Sequence, residues 1–150
     1  MFKITPTPNT IRTYQITRQM GSNTKTGTRQ GLYKFGSLLY KELRADILRR
    51  KNGKQYIVRR GTTRGRHIAS AVGETPANLS GNLRRSVDFK VQGSSNMEFG
   101  YDKSVDYGKY LESGTKKMGA RPGLKNNIDK NLVNGANIIG QEVYNSMMKK

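Results

Sequence analysis

The 150-residue chain contains no cysteine, which excludes disulfides, thiolate metal sites and thiol nucleophiles. Its one histidine, His67, leaves no multi-histidine metal centre, and a catalytic Ser-His pair would rest on that single ring. Acidic residues number only 10 against 28 Lys and Arg. Asp102 and Asp106 are neighbours but sit beside Lys103, and no pair of carboxylates stands out for general acid–base work. Neither a catalytic constellation nor a cofactor motif emerges, so a non-enzymatic protein without cofactor or metal is expected. No run approaches the roughly 18 apolar residues that cross a bilayer. Met1-Phe2-Lys3-Ile4-Thr5-Pro6 lacks the apolar core of a signal peptide. The expectation is a soluble chain with no membrane partner and no cleavable signal. Its lack of cysteine is compatible with a reducing cytoplasm.

What the chain has in excess is positive charge, +18 in total. Basic and acidic residues number 10 and 2 in the first fifty positions, 9 and 3 in the next, 9 and 5 in the last. The excess therefore pervades the chain and is not a detachable tail. Such a balance repels itself in a compact monomer and favours polyanionic or acidic partners. Nucleic acid and an acidic protein surface both fit. With 33% apolar residues and 17 glycines, a modest core carrying extensions is expected.

Periodicity divides the chain into an arm, 1–28, and a single domain, 29–150. The arm is rich in Thr, Asn, Gly and Pro. Its piece Ile11–Thr17 alternates like an exposed strand, and Gly21–Gly27 has the composition of a flexible linker. From Arg29 to Lys51 the apolar residues Leu32, Phe35, Leu39, Leu43 and Ile47 recur at helical spacing, with Thr28 as N-cap and Asn52-Gly53 as stop. Gln55–Val58 and His67–Ala69 suggest one hairpin. Arg84–Val91 and Met97–Tyr101 suggest a second, with Val87, Phe89 and Val91 on one face. Leu124, Ile128, Leu132, Ala136, Ile139, Val143 and Met147 form the apolar stripe of a last helix, which Arg121-Pro122-Gly123 opens. The predicted fold class is α+β, with two long helices packed on a small antiparallel sheet and an extended N-terminal arm.

Between the strands of the first hairpin lies a basic segment with Arg59, Arg60, Arg64 and Arg66. It can neutralise phosphates of double-stranded DNA without reading sequence, dock an acidic protein patch, or simply be solvated. It lacks the interleaved aromatics of a single-strand stacking platform. Gly114–Gly119 has the glycine spacing of a phosphate-binding P-loop, but Ala120-Arg121 stands where Lys and Ser/Thr are required. That reading is rejected.

Two segments are more specific. One runs Gly73-Glu74-Thr75-Pro76-Ala77-Asn78-Leu79-Ser80-Gly81-Asn82-Leu83-Arg84-Arg85-Ser86-Val87. The other is Tyr107-Gly108-Lys109-Tyr110-Leu111-Glu112-Ser113-Gly114-Thr115, followed by Arg121-Pro122 at the start of the last helix. In order and spacing, about residues 29–148 resemble the bacteriophage neck and tail-completion family, also described as head–tail joining proteins or minor tail components. Gly123 departs from the pattern, since many relatives carry an aromatic residue after the proline.

By physical reading, Ser80 closes a turn, Gly81 takes a backbone angle other residues resist, and Leu83 and Val87 point inward. Tyr107, Tyr110 and Leu111 are candidate core or interface anchors. Glu112 is a candidate partner for Arg121 or for an arginine of a neighbouring subunit; a solvated Glu112 is the alternative. The resemblance implies a structural virion protein, assembled in the host bacterial cytoplasm and located at the head–tail junction. It implies a homo-oligomeric, hexameric ring around the DNA channel, between portal-adaptor or head-closure proteins and the tail terminator or tube proteins. A tail terminator or other minor tail protein is the alternative, and a freestanding basic DNA-binding protein a further one.

Overall fold

A computed structural model describes residues 8–148. It is an α+β domain, as the sequence predicts, with two long helices and two separate two-stranded antiparallel sheets. In chain order the elements are α1 (Pro8–Leu48), β1 (Gln55–Arg60), β2 (Thr63–Ile68), α2 (Asn82–Ser86), β3 (Val87–Gln92), β4 (Asn96–Tyr101), α3 (Gly108–Ser113) and α4 (Gly123–Met148).

Helices α1 and α4 form an antiparallel pair whose register follows a four-residue step. Ser146 Oγ donates to the Asn23 carbonyl at 2.7 Å. Gly27 lies against Val143, Gly31 against Ile139 and Gly135 against the Phe35 ring. At the far end Asn131 Nδ2 donates to Glu42 Oε2 at 2.8 Å, beside the Lys130–Glu42 ion pair at 3.0 Å. A Cβ placed on Gly31 would sit 2.6 Å from Ile139 Cα, well inside carbon–carbon contact. Glycine is therefore what lets the two backbones approach here.

This seam corrects two expectations. Residues 8–28, expected as an extended arm with a flexible linker over 21–27, are helical and continuous with the rest of α1. Gly27 is buried at the seam, and Thr24, Thr26 and Thr28 each donate a hydroxyl to the carbonyl four residues earlier. The β-branched, polar composition is thus satisfied within the helix, and Thr28 is interior to it instead of capping it. Residues 1–7 of the expected arm lie outside the described residues.

The second correction concerns α4. Its buried positions are Gly123, Asn127, Asn131, Gly135 and Ser146, the small and polar edge of the helix. Leu132 and Met147 from the predicted apolar stripe are 59% and 41% exposed, and Ala136 is exposed as well. Close helix approach selects small residues, and hydrogen bonds to Glu42 and Asn23 select polar ones. The stripe is consequently split: Leu124, Ile128, Ile139 and Val143 are half-buried toward α1 and the core, whereas Leu132, Ala136 and Met147 are turned away.

The core gathers at the C-terminal half of α1. Leu43, Ile47, Leu83, Val87 and Val105 are buried together, with Tyr40, Phe99, Tyr101, Leu111 and Leu124 packed around them. Each such side chain contributes roughly 1.5–3 kcal/mol of transfer free energy. The predicted α1 stripe is seen here: Phe35, Leu39, Leu43 and Ile47 are all buried. α1 also covers the β3–β4 hairpin, where Gly36 admits the Phe89 ring and Met97. That hairpin pairs Val87 with Tyr101 through Gln92 with Asn96, and Val87 and Val91 face inward as the alternation predicts. Arg84 to Ser86, expected as the start of this strand, instead close the helical turn α2, because Gly81 at φ +84° redirects the chain just before it.

α1 ends at Leu48. Lys51 is buried and its Nζ donates at 2.6 Å to the Asp46 carbonyl of the last turn, which also accepts the Arg49 N–H at 3.2 Å. Burial pushes this amine's pKa down, an effect opposed by the charges of Glu74 and Asp46. Gly53 is required nearby: its N–H donates to the Ala69 carbonyl at 2.9 Å, and any Cβ would strike Ser70.

Candidate functional site

The basic segment is not a loop. It forms the two strands of the β1–β2 hairpin, closed by Gly61 and Thr62, with Gly61 at φ +59°. Gln55 pairs with Ile68, Ile57 with Arg66, Arg59 with Arg64, and Arg60 with Thr63. Strand alternation then places Ile57, Arg59, Arg64 and Arg66 on one face of the ribbon. The structure therefore joins Arg59, Arg64 and Arg66 on one face, and the side chain of the fourth predicted arginine, Arg60, lies outside the described residues.

Arg59, Arg64 and Arg66 are exposed, and no ion pair involves them among the described residues. Residues 47–73 contain no acidic side chain at all. Like charges directly opposed across a ladder are destabilising, so the Arg59–Arg64 pair opposes the formation of its own hairpin. An anion between the two guanidiniums reverses that cost. A two-stranded ribbon also has the width that the DNA major groove admits. Ile57, 73% exposed, shares the face. His67 is half-buried at the base of the ribbon, where it lines a cleft of about 310 Å³ with Val58, Asn78 and Leu79.

The residues of the two longer motifs form no chemical pocket. They converge on the start of α4 as a brace. Glu74 accepts from Asn52 Nδ2 at 2.6 Å, from the Ala71 N–H at 2.8 Å and from the Asn52 N–H at 3.2 Å. These bonds, Ala71's foremost, hold its carboxyl below the usual carboxylate range. Pro76 is fully buried against Gly123, whose Cβ would stand 2.9 Å from both Pro76 Cδ and the Tyr101 hydroxyl. Tyr101 and Pro76 therefore leave no room for a side chain at position 123. Burial, then the charge of Glu112, raises the pKa of the Tyr101 phenol.

Glu112 and Arg121 do not pair with each other, contrary to one expectation. Glu112 accepts the N–H groups of Leu124 and Lys125 at 2.9 and 3.4 Å and the Tyr101 hydroxyl at 3.3 Å. It thus satisfies unpaired donors of the first turn of α4 and places negative charge at the positive end of the helix. Arg121 turns the other way, donating from Nε to the Ser70 carbonyl at 2.9 Å, while its backbone N–H donates to the Leu111 carbonyl at 2.7 Å. The Pro122 carbonyl accepts from the Asn126 N–H at 3.2 Å, so the helix begins where the Pro-Gly signal predicts.

Among the remaining motif residues, Leu83 is a core residue at 4% exposure and Leu111 packs against the same cluster. Ser80 Oγ accepts the Asn82 N–H at 3.4 Å, a weak turn closure. Arg84 is half-buried on α2 without an ion pair among the described residues. Gly114 adopts φ +75°, and Thr115 Oγ1 accepts from the Lys117 and Met118 N–H groups, so the rejected P-loop segment folds as a tight turn. Tyr107 and Tyr110 are 46% and 48% exposed and are not core anchors of this chain.

Sequence reasoning missed Tyr101, Glu42, Asn127 and Asn131. The polar members of α4 were masked by the stronger apolar periodicity beside them. Asn127 is 2% exposed, and neither atom of its side-chain amide finds a hydrogen-bond partner among the described residues. Among the described residues there is also no group of three or more potential metal ligands, and no helix is long and apolar enough to cross a membrane.

Comparison with protein-family models, with curated proteins and with solved structures yields no match to this chain.

Proposed function

We propose that the chain is a structural, non-enzymatic subunit of a tailed-bacteriophage virion, forming a homo-oligomeric, hexameric ring at the head–tail junction. The observation that carries this reading is the brace. The two motif segments that resemble the neck and tail-completion family fold onto each other and onto the start of α4, through Pro76–Gly123, Glu112–Leu124 and Arg121–Ser70. Their polar groups serve internal geometry, as a subunit with a fixed shape requires. The outward surface carries the unpaired arginines of the hairpin. In a ring these provide a positive lining for the DNA end or a dock for an acidic head-closure or tail protein. Counterion release from the phosphates then contributes to holding the DNA.

The test is the solution mass of the purified protein across a salt series, with and without short duplex DNA. A closed ring of about six subunits, alone or with DNA, supports the reading. A monomer that binds free duplex tightly replaces it with a freestanding DNA-binding protein, which the unpaired Arg59–Arg64 face favours. Assembly with isolated tail tubes but not with head connectors moves the subunit to a tail terminator or other minor tail position.

A further inference from the structure

The α1–α4 seam does not end where α4 ends. Ser146 lies level with Asn23, and among the described residues α4 runs to Met148 while α1 reaches back to Pro8. About 14 residues of helix, roughly 21 Å, therefore extend past the pair. On the helical wheel Ile16 and Met20 share the face of Asn23, Gly27 and Gly31. They continue the α4-contacting stripe past the described part of α4, and they are 52% and 48% exposed. An unsupported helix of this length is marginal in water, and one rich in Thr, Asn and Gln is poorer still.

A bare surface of matching kind exists on the same chain. The outer face of α4 presents Leu132, Val133, Ala136, Gly140, Tyr144 and Met147. Val133 is 75% and Tyr144 57% exposed, and a Cβ on Gly140 would meet nothing within 4 Å. Residues 131–148 hold a single charged side chain, Glu142, and its carboxylate is already paired with Lys34 across the seam at 2.6 Å. For a chain of net charge +18, an uncharged apolar face is where like copies approach without repulsion. The two surfaces cannot meet within one molecule, because α4's bare face is turned away from α1.

We infer that this face of α4 receives the Ile16–Met20 end of α1 from a second copy of the same chain. The contact is head-to-tail, the type that closes into a ring when its rotation permits, and it deepens the ring reading on which it rests. Ala136, Gly140 and Met147 form the floor on which the incoming helix lies, with Leu132 on one flank and Val133 and Tyr144 on the other. Each copy then covers its neighbour's α4 and has its own overhang supported in turn.

The experiment uses two double variants of the full chain, Ile16→Asp/Met20→Asp and Leu132→Asp/Val133→Asp, each checked for unchanged far-UV dichroism and examined by sedimentation velocity. Each alone is expected to lose self-association by about a hundredfold or more. Mixed in equal amounts they retain one intact interface per pair and stop at a heterodimer. Because the chain has no cysteine, Met20→Cys/Ala136→Cys offers a second readout in an otherwise wild-type surface. Mild oxidation is expected to yield a ladder of covalent oligomers. Wild-type assembly by both double variants overturns the contact and leaves the ring reading standing on another interface. Failure of the mixture to form dimers, or oxidation confined to monomers, overturns the contact as well. A wild-type chain that stays monomeric overturns the contact and any ring formed without head or tail partners.

Discussion

Replacing Glu112 tests the brace at its most informative point. The carboxylate takes two N–H groups at the first turn of α4 and the Tyr101 hydroxyl. Capping bonds of this kind are worth about 0.5–2 kcal/mol, and charge at the helix N-terminus adds about 0.3–1 kcal/mol. Glu112 is half-buried, so the sum is not fully screened. Glu112→Ala is expected to cost about 2 kcal/mol and Glu112→Gln, which keeps an acceptor oxygen, about 1 kcal/mol. The assay is urea unfolding followed by far-UV dichroism, run as two double-mutant cycles. Paired with Tyr101→Phe, Glu112→Ala is expected to show coupling of about 0.5–1 kcal/mol. Paired with Arg121→Ala it is expected to be additive within about 0.5 kcal/mol, because the two side chains have different partners. Strong coupling to Arg121 with none to Tyr101 would refute the assignment and restore the Glu112–Arg121 ion pair.

Three further outcomes are expected. Gly31→Ala gains about 1 kcal/mol of helix propensity but drives a methyl group against the Ile139 backbone, 2.6 Å away. Overpacking of that kind costs about 1–3 kcal/mol and more where backbone must move, so a net loss in the thermal midpoint is expected, and a gain would show that the seam is loose. Glu74 has its pKa depressed by the Ala71 and Asn52 donors, and Glu42 by Asn131 and Lys130. A depressed carboxylate contributes stability that is present above its unfolded pKa and lost as pH falls through its folded value. The urea midpoint should therefore fall on acidification below the ordinary carboxylate pKa, and Glu74→Gln should flatten that decline. For the hairpin, neutralising Arg59, Arg64 and Arg66 to Gln should reduce the slope of log K against log salt for duplex DNA by about 2.7. An unchanged slope means that those arginines touch no phosphate.

How much was legible in the sequence follows from the physics of each element. Periods of two and of about 3.6 are local, so both hairpins, the core stripe of α1 and the start of α4 at Pro122 could be read directly. The left-handed turn at Gly81 was legible for the same reason, since glycine's freedom is a property of the residue. What composition suggested for residues 8–28, a strand-like arm and a linker, failed because Thr and Gly are weak helix formers only until something packs on them. The hydroxyls of Thr24, Thr26 and Thr28 bond back along the helix, and Gly27 is what allows α4 to approach.

The orientation of α4 was beyond the sequence for a related reason. An apolar stripe marks a face that avoids water, but not whether that face meets the same chain or another one. Here close backbone approach at Gly27, Gly31 and Gly135, with Asn131 bonded to Glu42, turned the polar edge inward. The partners of Glu112 and Arg121 were likewise decided in three dimensions, since opposite charges nine positions apart pair only if backbone geometry permits. The sequence by itself determined the α+β class, the α1 core stripe, the two hairpins and the charge. Tertiary packing decided which helix face is buried, where the carboxylates cap, and that three arginines share one side of a ribbon. Local propensities act over a few residues, whereas contacts between Gly31 and Ile139 exist only after the chain has folded back on itself.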